Sequence, residues 1–325
     1  MSFDDAKAKE QPSDSIACLA DELDALDERL ARYRGQEYIG IPQETLPELD
    51  KYTLGLRGLI LLAGPPNIGK TSLGTQLGID AVRNGEDVCF LFVSLEMSRW
   101  DIYLRIMSRL AKIDWRDMML GKEVNGQKGQ LSKEDNASLI KARDTIKEIG
   151  KRVKLLDFEN FSNPTVERIV RELDALKKKS DAKRAVVLVD YLQVWQPPDE
   201  DKINRSDLAL DKWQVGQMRK LRDLAGDGTA VIVVSEARKP STQHGKKKTA
   251  PKEWGSSLAD IMGAARASYT ADMVLLVHKL HEEEDTESHE RVPCILRIAK
   301  GRDGVVKGII DLEFHTRQNY FAEKG

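Results

Sequence analysis

Along most of the chain, short apolar runs alternate with segments in which apolar residues recur every three or four positions. Such runs are typical of buried parallel strands, and such periodic segments are typical of amphipathic helices. The predicted strands are 59–63, 88–94, 153–157, 185–190, 229–235, 273–277, 294–299 and 308–312, and the predicted helices are 72–83, 99–112, 133–149, 165–179 and 208–224. The alternation predicts an α/β fold with a mostly parallel, twisted sheet and helices on both faces.

The beginning of the chain follows a different pattern. Residues 1–14 are polar, which predicts a disordered tail, and residues 36–325 carry the predicted α/β domain. Between 15 and 35, apolar residues at spacings of three and four predict a helix with one narrow apolar stripe. The stripe comprises Ile16, Leu19, Leu23, Leu26, Leu30 and Tyr33. It packs either on its own domain or on a neighbouring subunit, and the spacing leaves both alternatives open.

Composition and charge exclude several classes of protein. Hydrophobic residues make up 41% of the chain and charged residues 32%, as in ordinary globular proteins. Because the net charge is −2, nucleic-acid binding would have to come from a local basic segment or from a channel formed by assembly. The three widely spaced cysteines argue against a disulfide framework and favour a reducing cytoplasm. No apolar run approaches about 18 residues, so no membrane association is predicted.

The strongest chemical signal is the segment 64–71, which reads GPPNIGKT and matches the phosphate-binding pattern G-x-x-x-x-G-K-[ST] between a predicted strand and a predicted helix. In this pattern, backbone N–H groups and the positive end of the helix dipole hold phosphates. The predicted nucleotide-binding residues are Gly64, Pro65, Asn67, Ile68, Gly69, Lys70, Thr71 and Ser72. Lys70 is expected to reach the outer phosphates, and Thr71 to bind Mg²⁺. The alternative is a glycine-rich turn that binds nothing.

Two acidic residues follow predicted strands at the edge where this loop lies. Asp190 ends a buried apolar run, which is typical of the Walker B carboxylate that holds Mg²⁺ and is linked to the loop threonine, here Thr71. Glu96 follows the strand 88–94, and a carboxylate there can activate an attacking water as a general base. By position alone, each of these residues could instead cap a helix.

Several segments resemble, in order, those of DnaB-type replicative helicases, a family of RecA-like ATPases. They are 92–98 (FVSLEMS), 190–193 (DYLQ), 204–206 (NRS), 269–272 (YTAD) and 298–304 (IAKGRDG). The resemblance implies a RecA-like fold, ATP and Mg²⁺ as ligands, and a hexameric ring that moves on single-stranded DNA during replication. It implies that Glu96 polarises the water and that Lys300 and Arg302 reach the γ-phosphate of the neighbouring subunit. Taken alone, the last two would be a solvated charged loop.

The DNA contacts implied by the resemblance lie in the segment 255–272, where Gly263, Ala264 and Arg266 are the candidates. The alternative is that this segment is a plain helix. A basic loop containing Arg238 and Lys239 could also follow a DNA backbone, although charge runs usually mark solvated faces. Glu236 stands where the family usually has a glutamine that senses the γ-phosphate, and an ionised carboxylate cannot donate a hydrogen bond.

The helix 15–35 resembles the family's linker helix, which docks on the adjacent subunit. The helical domain that usually precedes this linker is not found in the sequence, which puts the expected primase or loader contacts in doubt. Two other functions stay open. One is a DNA-stimulated ATPase that remodels complexes without processive unwinding. The other is an oligomeric binding module switched by ATP.

Overall fold

The computed structural model describes residues 19–34, 39–40, 46–124, 127–162, 164–197, 207–226, 228–237, 265–280, 290–302 and 304–324. The chain divides into two units, residues 1–38 and residues 39–325. In the first unit, a short 3-10 helix (Leu19–Glu22) leads into helix α1 (Leu23–Arg34). Leu23, Leu26 and Leu30 of the predicted stripe are exposed on α1. The tail 1–14 and both ends of the predicted helix 15–35 lie outside the described residues.

The second unit consists of helices and strands in near alternation. The helices are α2 (Pro47–Thr53), α3 (Lys70–Asn84), α4 (Arg99–Ala111), α5 (Trp115–Leu120), α6 (Lys133–Ile149), α7 (Val166–Ser180), α8 (Asp207–Leu224) and α9 (Ala265–Thr270). The strands are β1 (Gly58–Gly64), β2 (Val88–Ser94), β3 (Lys122–Val124), β4 (Gln127–Gln130), β5 (Val153–Leu156), β6 (Arg184–Asp190), β7 (Thr229–Glu236), β8 (Met273–Lys279), β9 (Arg291–Gly301), β10 (Gly308–His315) and β11 (Tyr320–Glu323).

Nine of these strands form one sheet in the order β11-β10-β9-β8-β1-β7-β6-β2-β5. From β8 to β5 all neighbours are parallel, and β9, β10 and β11 extend the sheet as antiparallel strands. The prediction of an α/β fold with a mostly parallel sheet is confirmed. In consequence, β1, β2, β6 and β7 all end at the same edge, here called the carboxyl edge. The opposite edge, where β1 begins, is called the amino edge.

The side chains of β1 alternate between two hydrophobic cores, because successive residues of a strand point to opposite faces. Ile60 and Leu62 belong to the core that contains α3, whereas Leu59 and Leu61 belong to the core that contains α7 and α8. Helices therefore cover both faces of the sheet, as predicted. Within the described part of the chain, every helix is too short or too polar to cross a bilayer.

Five short elements, α2, α5, β3, β4 and β11, were not predicted. Helix α2 lies in the proline- and glycine-containing segment expected to be a connector, and it starts at Pro47, whose missing N–H costs nothing in the first helical turn. Helix α5 and the strands β3 and β4, which pair as a separate hairpin, have between three and six residues each. Strand β11 has four residues. Elements this short do not span enough of a period to produce a recognisable pattern.

Candidate functional site

The predicted phosphate loop lies between the end of β1 and the start of α3, at the carboxyl edge. Gly69 has a φ of +89°, and a Cβ atom on it would lie 2.7 Å from the ring of Phe314. Both facts favour glycine, which alone adopts this backbone conformation without strain and leaves room for the ring. The loop therefore turns tightly into α3, whose first residues, Lys70, Thr71 and Ser72, line the cleft.

Lys70 and Thr71 begin α3 and meet Asp190, the last residue of β6. The Thr71 hydroxyl donates a hydrogen bond to the Asp190 carboxylate, and the Lys70 Nζ donates to the Pro65 carbonyl oxygen over 2.7 Å. Burial raises the pKa of Asp190 to about 6, although Thr71 and Lys70 oppose this shift. The hydroxyl and carboxylate form an oxygen donor set of the kind that Mg²⁺ prefers. Nearby, the buried Ser72 Oγ has no hydrogen-bond partner among the described residues.

Glu96 is held in the turn between β2 and α4. The Leu95 N–H donates to the Asp190 carbonyl oxygen over 2.7 Å, and the Met97 N–H donates to Ser94 Oγ over 3.0 Å, so the turn lies directly beside the end of β6. Ser98 caps α4 by accepting from the Asp101 N–H. Glu96 thus lines the same cleft as Lys70 and Asp190.

Sequence reasoning missed Arg105, which lies on α4 and faces this cleft. Burial lowers the pKa of Arg105, and the charges of Asp190, Asp101 and Glu96 act against that change. The signal in the sequence is weak. Asp101, Leu104 and Arg105 share one face of α4 at helical spacing, but the same spacing describes any solvated helix face.

The cleft has a volume of about 750 Å³, within the usual range for a small-molecule site. Its far wall is formed by α5, by the end of β10 and by the turn that follows β10. These elements contribute Trp115, Arg116, Phe314 and Arg317 to the lining. The Trp115 N–H donates to the Arg317 carbonyl oxygen over 3.1 Å and joins the two elements. None of these four residues was predicted, since they come together only through tertiary folding.

Glu236 ends β7, next to β1 and β6, and also lines the cleft. Its backbone N–H donates to Gln193 Oε1 over 3.1 Å, and Gln193 Nε2 donates to Ser235 Oγ over 2.8 Å. Burial lowers the pKa of Lys70, and the charges of Glu236, Asp190 and Glu96 act in the opposite direction. The Glu236 carboxylate is therefore close enough to influence the loop lysine.

Lys300 and Arg302 lie at the amino edge, away from this cleft. Gly301 pairs with Met273, which in turn pairs with Ile60 near the start of β1, whereas the phosphate loop follows the end of β1. The four strand residues between these points span roughly 13 Å at 3.3 Å per residue. The contacts of Lys300 and Arg302 are also made at this edge, so the two side chains do not join the cleft of their own chain.

The two cations are held differently. Lys300 Nζ donates three hydrogen bonds, to the carbonyl oxygens of Ser268, Tyr269 and Ala271, over 2.9, 2.9 and 2.6 Å. An ammonium has three donors, so all are used at the C-terminal end of α9. Arg302 makes longer contacts of 3.3 Å each, to Asp272 Oδ1 and to the Tyr269 carbonyl oxygen. Arg302 is therefore the more easily released of the two.

The DNA-binding candidates are only partly described. Arg238, Lys239, Gly263 and Ala264 lie outside the described residues. Arg266 lies in α9, but its side chain is outside the description. Their predicted role stays a prediction.

Comparison with known proteins assigns the chain to a family. The family model for the DnaB-like helicase C-terminal domain matches residues 40–323. Replicative DNA helicase DnaB of Leifsonia xyli subsp. xyli is 24% identical over 316 residues, which cover 96% of this chain and 61% of the relative. The DnaB of Helicobacter pylori is 26% identical over 245 residues, which cover 75% of this chain and 44% of the relative. The chain thus spans about half the length of these curated relatives.

Two solved structures share the fold. The ATPase domain of G40P superposes with a TM-score of 0.71 at 23% identity and covers 93% of this chain and 98% of that one. A DnaB-like replicative helicase, described with its interactions with primase, has a TM-score of 0.70 at 23% identity. That match covers 94% of this chain and 67% of the helicase.

Proposed function

The chain belongs to the DnaB-like helicase C-terminal domain family, as its motifs predicted, and we propose that it is a ring-forming, ATP-driven helicase that moves on single-stranded DNA during replication. One observation carries this proposal above the others. The cleft with Lys70, Glu96 and Asp190 lies at the carboxyl edge of the sheet, whereas Arg302 lies at the amino edge. A guanidinium in that position can complete a nucleotide site only on another copy of the chain.

The cleft suits ATP and Mg²⁺. The glycine turn leads into the first residues of α3, which line the cleft, and Ser72 Oγ has no described partner there. Lys70 would hold the outer phosphates, and Thr71 with Asp190 would hold the metal. When bound, Mg²⁺ neutralises charge on the phosphate oxygens. The shared Thr71–Asp190 hydrogen bond keeps both oxygen donors in place.

Within the cleft, Glu96 would accept a proton from the attacking water. Its turn lies beside Asp190, and within the described structure no hydrogen bond occupies the Glu96 carboxylate. Arg105, which lines the same cleft, would stabilise charge on the transferring phosphoryl group. Glu236 would sense the γ-phosphate by repulsion rather than by donating a hydrogen bond, since an ionised carboxylate has no donor.

Arg302 would stabilise the transition state on the neighbouring copy, where an arginine finger accelerates hydrolysis by about 10³ to 10⁵. Contacts made head to tail in this way close into a ring when the rotation between copies is suitable. Because one solved neighbour is described with primase, we also propose a primase or a loader as a partner, supported by family membership and shared fold.

The test measures ATP hydrolysis with and without single-stranded DNA, together with strand displacement on a forked duplex. We expect DNA to stimulate hydrolysis and ATP to be required for displacement, with Lys70→Ala as the inactive control. Hydrolysis that does not respond to DNA would contradict the motor function. Stimulated hydrolysis without displacement would favour a remodelling ATPase instead.

A further inference from the structure

Arg302 shares its carboxylate with a second arginine. Asp272 Oδ1 lies 3.3 Å from Arg302 Nη1 and 3.1 Å from Arg222 Nη2. Arg222 comes from α8 and Arg302 from the end of β9, so two elements meet at one oxygen atom. The group formed by Arg222, Asp272, Lys300 and Arg302 is called the Asp272 cluster below.

The carboxylate is the fixed member of the Asp272 cluster. Its Oδ2 accepts the Leu59 N–H over 3.0 Å, and the Asp272 N–H donates to the Leu59 carbonyl oxygen over 2.8 Å. The preceding residue, Gly58, has a φ of +61°, and a Cβ atom on it would lie 2.8 Å from Asp272 Oδ2. Backbone and packing thus hold Asp272 against the start of β1, and any exchange of partners has to come from the arginines.

Both arginine side chains are more exposed to solvent than the carboxylate that they share. The Arg222 side chain is 42% exposed and the Arg302 side chain 38%, whereas Asp272 is 21% exposed. Among the described residues, Arg302 has a single carboxylate contact, shared with Arg222, and a long bond to a carbonyl oxygen. Lys300 cannot replace it at Asp272 without losing its bonds to the end of α9.

The Asp272 cluster contains three cations and one carboxylate, so it carries excess positive charge. Burial and the charge of Arg302 lower the pKa of Lys300, Asp272 opposes this, and Arg222 adds to the lowering. All three cations are therefore close enough to repel one another. The phosphates of a nucleotide on a second copy would relieve that repulsion.

We propose that Arg222 is a positioning residue that keeps Asp272 paired while Arg302 leaves it for the phosphates bound by a second copy of the chain. This inference rests on the proposed function of Arg302. With Arg222 present, the departure of Arg302 leaves Asp272 with a cation. Without Arg222, Arg302 is the remaining arginine paired with Asp272. Its departure would then leave a half-buried carboxylate without an arginine counter-charge, which costs free energy.

The experiment uses the DNA-stimulated ATPase of the full chain. Arg222→Gln should lower kcat about three- to ten-fold and leave the KM for ATP within about two-fold, because the loss affects the transition state and not nucleotide binding. Arg222→Lys keeps the charge and should stay within about two-fold of wild type. Arg219→Gln is the matched control. Arg219 lies on α8 beside the same surface cavity as Arg222, and within the described ranges it makes no ion pair.

Two further measurements separate positioning from a general loss of structure. Adding Asp272→Asn to Arg222→Gln should recover most of the lost kcat, since a neutral amide no longer retains Arg302. The ratio of variant to wild-type kcat should also approach one as salt is raised from about 0.05 M to 0.3 M, because salt screens partly exposed charges. A structural defect would respond to neither change.

The outcomes distinguish this inference from the proposed function. If Arg302→Ala stays active, the in-trans function of Arg302 is wrong and the inference falls with it. If Arg302→Ala is inactive but Arg222→Gln matches Arg219→Gln, only the inference is wrong. An increase of kcat in Arg222→Gln would also overturn it, since that result would mean that Arg222 holds Arg302 back.

Discussion

The carboxyl and amino edges of the sheet differ in whether the predicted functional residues of one chain come together there in a single cleft. At the carboxyl edge, Lys70, Thr71, Glu96 and Asp190 meet in one cleft, joined by backbone and side-chain bonds within the chain. At the amino edge, Lys300 and Arg302 are held by α9 and Asp272, and neither side chain lines the nucleotide cleft. Residues that a sequence motif predicts to be catalytic can therefore lie far from the nucleotide cleft of their own chain.

The largest effect is expected at the amino edge. Arg302→Ala should lower kcat by about 10³ or more, because the transferring phosphoryl group loses a cation. The free energy of unfolding should change by less than about 0.5 kcal/mol, since the lost ion pair is half-exposed. ATPase assays and thermal melts check both values. An active Arg302→Ala protein would contradict the proposal that Arg302 completes the cleft of a second copy.

At the carboxyl edge, Glu96→Gln should lower kcat by about 10² to 10³ while ATP still binds, because the amide cannot accept the proton from water. Titration with a fluorescent ATP analogue measures the binding. Lys70→Ala should lose both binding and turnover. If Glu96→Gln also lost ATP binding, Glu96 would contribute to binding the phosphates and its role in activating the water would be contradicted.

Asp190 offers a sharper test of the cleft, since its pKa is raised to about 6 from 3.8. Between these values the folded chain binds more protons than the unfolded chain, so this group lowers stability as pH rises through that window, and its full cost is present above about pH 6. Asp190→Asn should therefore abolish turnover but raise the free energy of unfolding at pH 7.5 by about 1 to 3 kcal/mol without Mg²⁺. Denaturant melts at pH 5 and pH 7.5 should show the gain shrinking at the lower pH. An equal gain at both values would contradict the raised pKa.

The smallest effect distinguishes the two cations of the amino edge. Lys300→Ala removes three hydrogen bonds to carbonyl oxygens near the end of α9 and should lower the free energy of unfolding by about 1 kcal/mol. Arg302→Ala should not. Equal melting curves for the two variants would mean that Lys300 does not stabilise α9.

Sequence alone predicted the fold class and the loop because both depend on local order. The loop from Gly64 to Thr71 can be recognised from the fixed spacing of its residues. The strand that ends at Asp190 can be recognised from a continuous run of apolar residues. Arg105 and Trp115 could not be predicted in the same way. They line the cleft because α4 and α5 pack beside it, and no fixed residue spacing in the sequence reveals how two helices pack.

The sequence also could not show what holds each candidate. Lys300 and Arg302 are two residues apart, yet one caps α9 with three bonds and the other shares Asp272 with Arg222. Arg222 stands 50 positions before Asp272, and no motif joins them. These contacts arise from the pairing of β8 with β9 and from the position of α8, which only the folded chain reveals.

The central claim is that one copy supplies the cleft and another supplies Arg302. It is tested most directly by mixing Glu96→Gln protein with Arg302→Ala protein and measuring ATP hydrolysis without DNA. In mixed assemblies, about a quarter of adjacent pairs join an intact cleft to an intact Arg302, so we predict activity well above the sum of the separate proteins. Activity that stays at that sum in mixed assemblies, or a fully active Arg302→Ala protein, would contradict the claim.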